Sequence, residues 1–391
     1  MFKTTKKKLF LKSAFFFIGS LFRLIDFLWP KHADVIVFGS YLGNYIAGSP
    51  KFLYESIKKQ HPSRHVVFYC PFRNKNLKKQ ICSIIRFAPV FFRAKILISS
   101  HPPYDFIPFS WSKRKIFINT WHGIPLKCMF FTDPGAKKES LKEVLWLNDR
   151  TTVFLVSSSL EAALISRCFN LDSRKIAFFG HPRNDILKSG KITSYLNKIF
   201  PDLPDHTTRI LYCPTYRRNG SVLFFPFEDM DIQYLNQFLE KNKIIIFTRG
   251  HVQDNSIQNI TNNSRIIELG QDLLPEINDI LPEIDILITD YSSIFFDFLL
   301  CNKPCIFIPY DKEDYKNSVG FLFDDYDYWT PGKKVTRFGE FIKTIEEILS
   351  GEDKFKEKRE EMINLFHFYQ TENSSEKILN FLDAICHGDK K

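Results

Sequence analysis

From residue 31 onward, short apolar runs rich in Val, Ile and Phe, bounded by Gly, Ser, Pro or Asn, alternate with longer amphipathic stretches. Runs of about 4–8 apolar residues between turn signals read as strands of a parallel sheet covered on both faces, and the stretches between them as crossover helices. The pattern predicts strands at Val35–Phe38, Val66–Tyr69, Ile96–Ile98, Ile116–Asn119, Val153–Val156 and Ile176–Phe179, with helices such as Pro50–Lys59 and Leu160–Phe169. After a polar break near 188–208 it restarts, with strands at Ile210–Cys213, Ile244–Thr248, Ile286–Thr289 and Cys305–Ile308. Helices are predicted at Tyr234–Glu240, Leu274–Leu281, Ile294–Leu300, Phe338–Leu349, Lys354–Phe368 and Ser375–Cys386. The chain therefore reads as α/β, with two Rossmann-like halves at 31–190 and 205–391 facing across a cleft. Chemistry is expected where the strands end, because open parallel sheets bind ligands at their carboxyl edge.

Residues 1–30 (MFKTTKKKLFLKSAFFFIGSLFRLIDFLWP) break from that alternation. The longest uncharged stretch, Ser13 to Phe22, has 10 residues, against the roughly 20 that a spanning helix needs. On a helix, Lys12, Gly19, Arg23 and Asp26 share one narrow stripe while Phe, Leu and Ile fill the rest. The segment is expected to lie in the headgroup region of a membrane, with Trp29 at the boundary; a signal anchor and a core helix of the first half are the alternatives. Charge strengthens the first reading. The 391 residues include 54 Lys and Arg against 44 Asp and Glu, and residues 1–100 hold 18 of those cations but only Asp26, Asp34 and Glu55 as acids. A second stretch, Arg73 to Lys95, sets seven cations and no acid among Ile, Phe and Val. The expected partner is an anionic membrane surface, with the protein peripheral on the cytoplasmic face; no nucleic-acid motif accompanies the cations. Eight cysteines without a CxxC pair indicate free thiols in a reducing compartment.

Several strand ends carry chemistry. In IFINTWHGIPLK (116–127) a buried strand runs into His122, Gly123 and Pro125, which sets an imidazole at a turn, where it can exchange a proton near neutral pH. Lys127 adds a cation. In ILITDYSSIFFD (286–297) Asp290 closes a strand, and Ser292 and Ser293 open a helix whose unpaired N–H groups and dipole favour a phosphate. Asp297 either faces that site or serves the helix dipole. YCPTYRR (212–218) contributes Thr215 and Arg217, FTRGH (247–251) contributes Arg249 and His251, and the turn GHPRND (180–185) contributes Arg183. Singly, each has a structural explanation, such as a packed loop histidine or an N-cap worth about 1 kcal/mol. Together they put His122 on one wall of the cleft and His251, Arg217 and the Ser292–Ser293 turn on the other, an arrangement suited to a phosphoanhydride.

WHGIPLK, LYCPTYR, TRGHV and LITDYSSIFFDFLLCNKPCIFIPYD, in that order, resemble the CDP-glycerol glycerophosphotransferase family of teichoic-acid primases and polymerases and related capsule enzymes. FGSYLGNYIAGSPKFLYESI is similar to the family's first strand and helix, and the match runs from about Asp34 to Gly332. PTYR stands where PTWR is more usual, and TRGHV lacks the Pro that often follows the second histidine. The resemblance implies a GT-B fold. It also implies transfer of glycerol phosphate or ribitol phosphate from CDP-glycerol or CDP-ribitol to a hydroxyl of a membrane-linked acceptor, with release of CMP. His122 matches the family's base, and His251, Arg217, Ser292 and Ser293 match positions that hold the donor phosphates; Asp290 lies in the same motif. Thr215, Arg249 and Asp297 are expected beside them at the donor, and Lys127 and Arg183 at acceptor or phosphate. No DxD sequence or carboxylate cluster lies within these motifs, so neither a metal nor another cofactor is expected to be required. The rival readings are a GT-B glycosyltransferase using a nucleotide sugar, and a non-catalytic membrane or nucleic-acid binding protein.

Overall fold

Strands that are apolar on both faces must be covered on both sides, and the chain achieves this twice. The structure is a computed structural model that describes residues 19–215, 217, 222–250 and 265–387. The first sheet contains β1 (His32–Gly39), β2 (His65–Tyr69), β3 (Ala94–Ser99), β4 (Ile116–Asn119), β5 (Val153–Leu155) and β6 (Ile176–Ala177), in the order β2-β1-β3-β4-β5-β6. The second contains β7 (Thr208–Cys213), β8 (Ile244–Thr248), β9 (Ile266–Glu268), β10 (Ile286–Thr289), β11 (Cys305–Phe307) and β12 (Lys333–Lys334), in the order β12-β11-β10-β7-β8-β9. Every pairing in both is parallel.

Three expectations change. β9 and β12 escape the pattern because their sequences, IIE and KK, hold too few apolar residues to read as a buried strand. The expected helix at Leu274–Leu281 is instead two short 3-10 turns, Ile277–Asp279 and Leu281–Glu283. Pro282 cannot supply the N–H of a continuing helix, and the Glu276 carboxylate accepts from Asn278 N–H at 3.0 Å, closing a local turn instead. The final helix, Ser374–His387, was expected with the second half, yet Ile378, Leu379 and Leu382 pack with Ile36, Phe38 and Leu53 on the first sheet. Asp185 from the first half fixes its start, accepting from Ser374 N–H at 3.1 Å and from the N–H and hydroxyl of Ser375 at 3.0 and 2.9 Å.

The N-terminal segment is also changed in its described part. Residues 1–18 lie outside the described residues; 19–28 form a helix. In its described part the polar stripe turns inward at Asp26, which is fully buried, accepting from Ser112 N–H and hydroxyl at 2.8 and 2.7 Å and pairing with Lys31 at 3.1 Å and Lys115 at 3.0 Å. Lys115 is itself buried and donates to the carbonyls of Phe91 and Ala94; burial pushes its ammonium down to about 7 in spite of Asp26. Phe22 packs on Phe92 and Phe109, with ring centroids 6.0 and 5.5 Å away. The helix is thus inside-out: Leu21, Leu24, Phe27 and Leu28 are exposed, Leu28 at 69%.

Cutting away residues 1–30 therefore removes part of the first half's core. Deleting 1–30, or replacing Asp26→Ala, leaves Lys31 and Lys115 without their carboxylate, a loss of about 3–5 kcal/mol. Thermal melts should show a large drop for both variants.

Candidate active site

In a doubly wound sheet the crevice opens where the strand order reverses. In the first sheet that point lies between β1 and β3, and β4 is the next strand. The residues that follow these strands are Ser40–Tyr41, Ser100–His101 and Thr120–Trp121–His122. In the second sheet it lies between β7 and β10, whose ends lead to Thr215 and Arg217 and to Asp290–Ser293. The motifs picked out by sequence thus sit at both switch points.

His122 is held from several sides. Trp121 takes a left-handed conformation (φ 51°), a costly turn for a bulky residue, and its N–H is satisfied by Asn119 Oδ1 at 3.0 Å. The turn brings His122 Nδ1 to 3.1 Å from the Ser100 carbonyl. A carbonyl only accepts, so Nδ1 carries the proton and Nε2 keeps its lone pair. The ring stacks on His101 with centroids 4.2 Å apart and planes 4° apart. Solvent still reaches His122 while protein surrounds it, as on the floor of a cleft. That desolvation, then His101, Arg183 and Lys127, holds its imidazole well below the ordinary range, against the opposing pull of the Ser100 carbonyl. His101 is lowered to about 4 by desolvation and then by Arg183. Both rings are neutral at neutral pH.

His101 was not singled out from sequence. The signal was present, since Ser99-Ser100-His101-Pro102 repeats the strand, histidine, proline logic of the His122 motif. Its frame is Asp105, fully buried, which accepts from Ser99 hydroxyl at 2.7 Å, Ser100 N–H at 3.1 Å, His101 N–H at 2.7 Å and Leu42 N–H at 2.8 Å.

The two halves meet at this point. A Cβ on Gly123 would lie 3.0 Å from Ser293 Oγ and 3.8 Å from Arg183 Nη2, so the His122 turn abuts the Ser292–Ser293 turn. Arg183 and Asp297, expected at phosphate and donor, are both buried and bonded to each other across the halves, Nη2 to Oδ1 at 3.0 Å. Asn184 Nδ2 donates to the same oxygen at 2.9 Å. The Arg183 guanidinium holds the Asp297 carboxyl below its usual range in spite of burial, which is the larger and opposing effect. Lys51 pairs with Asp279 at 2.6 Å and Tyr45 hydroxyl donates to Asp272 at 2.6 Å. Lys127 forms an antiparallel bridge with Phe321, flanked by Cys128 N–H to Gly320 carbonyl at 3.0 Å and Leu322 N–H to Leu126 carbonyl at 3.0 Å. One apolar core runs through the junction, joining Ile124 and Leu126 to Phe295 and Phe323.

The donor-side residues divide into those committed to the protein and those that are not. Arg217 was expected to grip phosphate, but its guanidinium is engaged: Nε and Nη2 donate to Asp311 at 2.7 and 2.9 Å and Nη1 to the Thr215 carbonyl at 2.6 Å. Nη1 also lies 2.9 Å from Asp290 Oδ2, and the group stacks over Tyr291, Tyr310 and Tyr315. Asp290 is likewise structural in geometry, buried and accepting from Thr215 N–H at 2.8 Å, so that it pins the ends of β7 and β10 together. Arg249 donates to the Leu274 carbonyl at 2.7 Å. Thr215 Oγ1 is buried with no hydrogen-bond partner among the described residues, and Ser293 does not cap its own helix with its side chain. His251 lies outside the described residues.

Two parallel sheets whose carboxyl ends meet around a neutral histidine and a pair of serines define a GT-B-like transferase. A family model for CDP-glycerol:poly(glycerophosphate) glycerophosphotransferase matches residues 21–383, so the chain belongs to that family and is a phosphotransferase. It is 26% identical to the teichoic acid glycerol-phosphate transferase of Staphylococcus aureus over 97% of this chain and 98% of that protein. It is 25% identical to the teichoic acid ribitol-phosphate polymerase TarL of the same organism over 96% of this chain and 68% of that one. The teichoic acid poly(glycerol phosphate) polymerase of Bacillus subtilis is 26% identical over 90% of this chain, which spans 49% of that protein's length. The fold is that of the wall teichoic acid polymerase TagF, with a TM-score of 0.77 at 21% identity, covering 94% of this chain and 93% of the other.

Two outcomes test this geometry. Arg217→Ala strips Asp290 and Asp311 of their shared cation, and stability should fall by about 3 kcal/mol with or without donor present; a variant of native stability that only loses donor affinity would return Arg217 to the phosphate. The unfolded chain protonates histidine near 6.5 but the folded chain protonates His101 only near 4. Stability contributed by the neutral ring is therefore complete above 6.5 and lost as pH falls toward 4. Melts between pH 7 and 5 should show that slope, and His101→Asn should lessen it.

Proposed function

We propose that the chain transfers glycerol phosphate or ribitol phosphate from the corresponding CDP-polyol to a hydroxyl of a lipid-linked or polymeric acceptor, releasing CMP, in the assembly of a teichoic-acid-like or capsular polymer. The observation that carries the reading is the abutment of the His122 turn on the Ser292–Ser293 turn across the two halves. His122 Nε2, unprotonated because Nδ1 serves Ser100, takes the acceptor proton. The freed oxygen attacks the phosphorus distal to cytidine, in line with the bridging oxygen that departs with CMP. Charge growing on that oxygen is met by hydroxyls and backbone N–H groups at Ser292 and Ser293, with Thr215, Arg249 and His251 as further donor contacts. Arg217, Asp290, Arg183 and Asp297 act through position, by holding those turns together. Lys127 lies near enough in chain to His122 to attract an anionic acceptor.

The acceptor's membrane is met by the first half. Helix 19–28 turns Leu21, Leu24, Phe27 and Leu28 outward, and the helix Leu77–Arg93 exposes Leu77, Ile81 and Ile85 among its cations. Among the described residues no helix is long and apolar enough to cross a membrane. Apolar side chains beside lysines and arginines suit the interface of an anionic cytoplasmic leaflet.

The protein incubated with acceptor membranes and separate CDP-polyols should release CMP from one of CDP-glycerol or CDP-ribitol and not from a nucleotide sugar, with product length separating one addition from polymerisation. His122→Ala should lower kcat at least 1000-fold while CDP-polyol still binds, and wild-type kcat/KM should stay flat as pH falls through 6.5, because the base is already neutral there. Near-normal turnover of His122→Ala would remove His122 as the base.

A further inference from the structure

A groove of about 640 Å³ lies on the outer edge of the first sheet, between edge strand β2 and the helix Leu77–Arg93. Its floor is apolar, formed by Val67, Tyr69, Phe87 and Val90. Lys78, Lys79 and Arg86 line it as well, all three exposed and none in an ion pair with a described residue. No acid occurs between Arg73 and Lys95 to neutralise them.

We propose that this groove is a binding site for the phosphate headgroup of an anionic bilayer phospholipid, which seats the enzyme at a fixed depth and orientation. The proposal rests on the membrane reading above and makes it specific. Three cations without an ion pair among the described residues, above an apolar floor, match a phosphate joined to a glycerol and acyl chains, polar at one end and apolar at the other. A free anion needs no apolar surround. Here the next face of the same helix exposes Leu77, Ile81 and Ile85, and its end packs through Phe92 on Phe22 and Trp29 of the N-terminal segment. That segment exposes Leu21, Leu24 and Leu28. A headgroup in the groove would put both apolar faces at the level of the acyl chains.

Cys82 lines the groove and is the exposed cysteine of the eight, so its alkylation reports occupancy. Full-length protein is treated with a maleimide, and modification at Cys82 is followed by mass spectrometry. Dihexanoyl phosphatidylglycerol below its micelle concentration should slow the reaction at least fivefold, while dihexanoyl phosphatidylcholine and inorganic phosphate should not. Ser83→Trp, which fills the groove and keeps its cations, should abolish the protection. Equal protection by inorganic phosphate, or none by the anionic lipid, would overturn the proposal. Sedimentation with vesicles containing phosphatidylglycerol separates this from the broader reading. Lys78→Ala/Lys79→Ala/Arg86→Ala should bind them on the order of a hundredfold more weakly, at roughly fivefold per cation, whereas replacing Lys137, Lys138 and Lys142 should leave binding unchanged. Equal losses in the two triple variants would refute a built site while keeping the membrane face; no sedimentation of the wild type would refute both.

Discussion

The buried ion pair between Arg183 and Asp297 is the constraint on which the rest of the site depends. Arg183 belongs to the turn that ends the first half, and Asp297 sits one turn into the helix that begins after Ser292 and Ser293. A charge pair this deep repays its desolvation only in good geometry, and breaking one partner leaves the other buried and alone. Arg183 supplies Nη2 and Asn184 supplies Nδ2 to a single Asp297 oxygen. That lock fixes where the serines fall relative to Gly123, and through Gly123 where they fall relative to His122. Residues that look like ligands on paper thus serve as the joint between two walls.

The same joint sets the electrostatics. Protein surrounds His122, with the Ser293 turn of the second half against the adjacent Gly123, and Arg183 lies close enough to disfavour positive charge on it or on His101. A cleft that holds two histidines neutral and several cations nearby suits a reaction in which a proton is taken from an alcohol and negative charge builds on phosphate oxygens. Nearby cations also lower the proton affinity of His122, so in the proposed reaction it would act with a lone pair that is already available. Its stacking on His101 and its bond to Ser100 keep that lone pair pointed by geometry.

At the other end of the first sheet, one carboxylate reverses a helix. Asp26 is one of only three acids in the first 100 residues, and Lys31 and Lys115 both need it. Satisfying two buried ammonium groups turns the Asp26 face inward and leaves four leucine and phenylalanine side chains exposed, each forgoing about 1.5–3 kcal/mol of full burial. The apolar face is left outward, beside a groove lined with cations. The charge excess that marks the N-terminal quarter of the chain is thereby split between an internal anchor and an external surface.

Strand runs such as Ile116–Asn119, Ile244–Thr248 and Ile286–Thr289 were legible to the residue, because a strand buried on both faces admits only apolar side chains and that leaves an unmistakable run. The motif order was equally legible, since a turn that presents His122 or Ser293 at a strand end has to be written in neighbouring residues. What chain order could not convey is partnership. Asp26 lies 89 positions from Lys115, Arg183 lies 114 from Asp297 and Arg217 lies 94 from Asp311, so nothing local separates a phosphate-binding arginine from one that clamps carboxylates. The last helix is the same case: its apolar face fits either sheet, and Asp185 at its first turn decides for the first. Local pattern determined which elements form and which chemistry they carry; long-range pairing of buried charges, whose partners no periodicity records, decided which of those residues face the cleft and which hold it together.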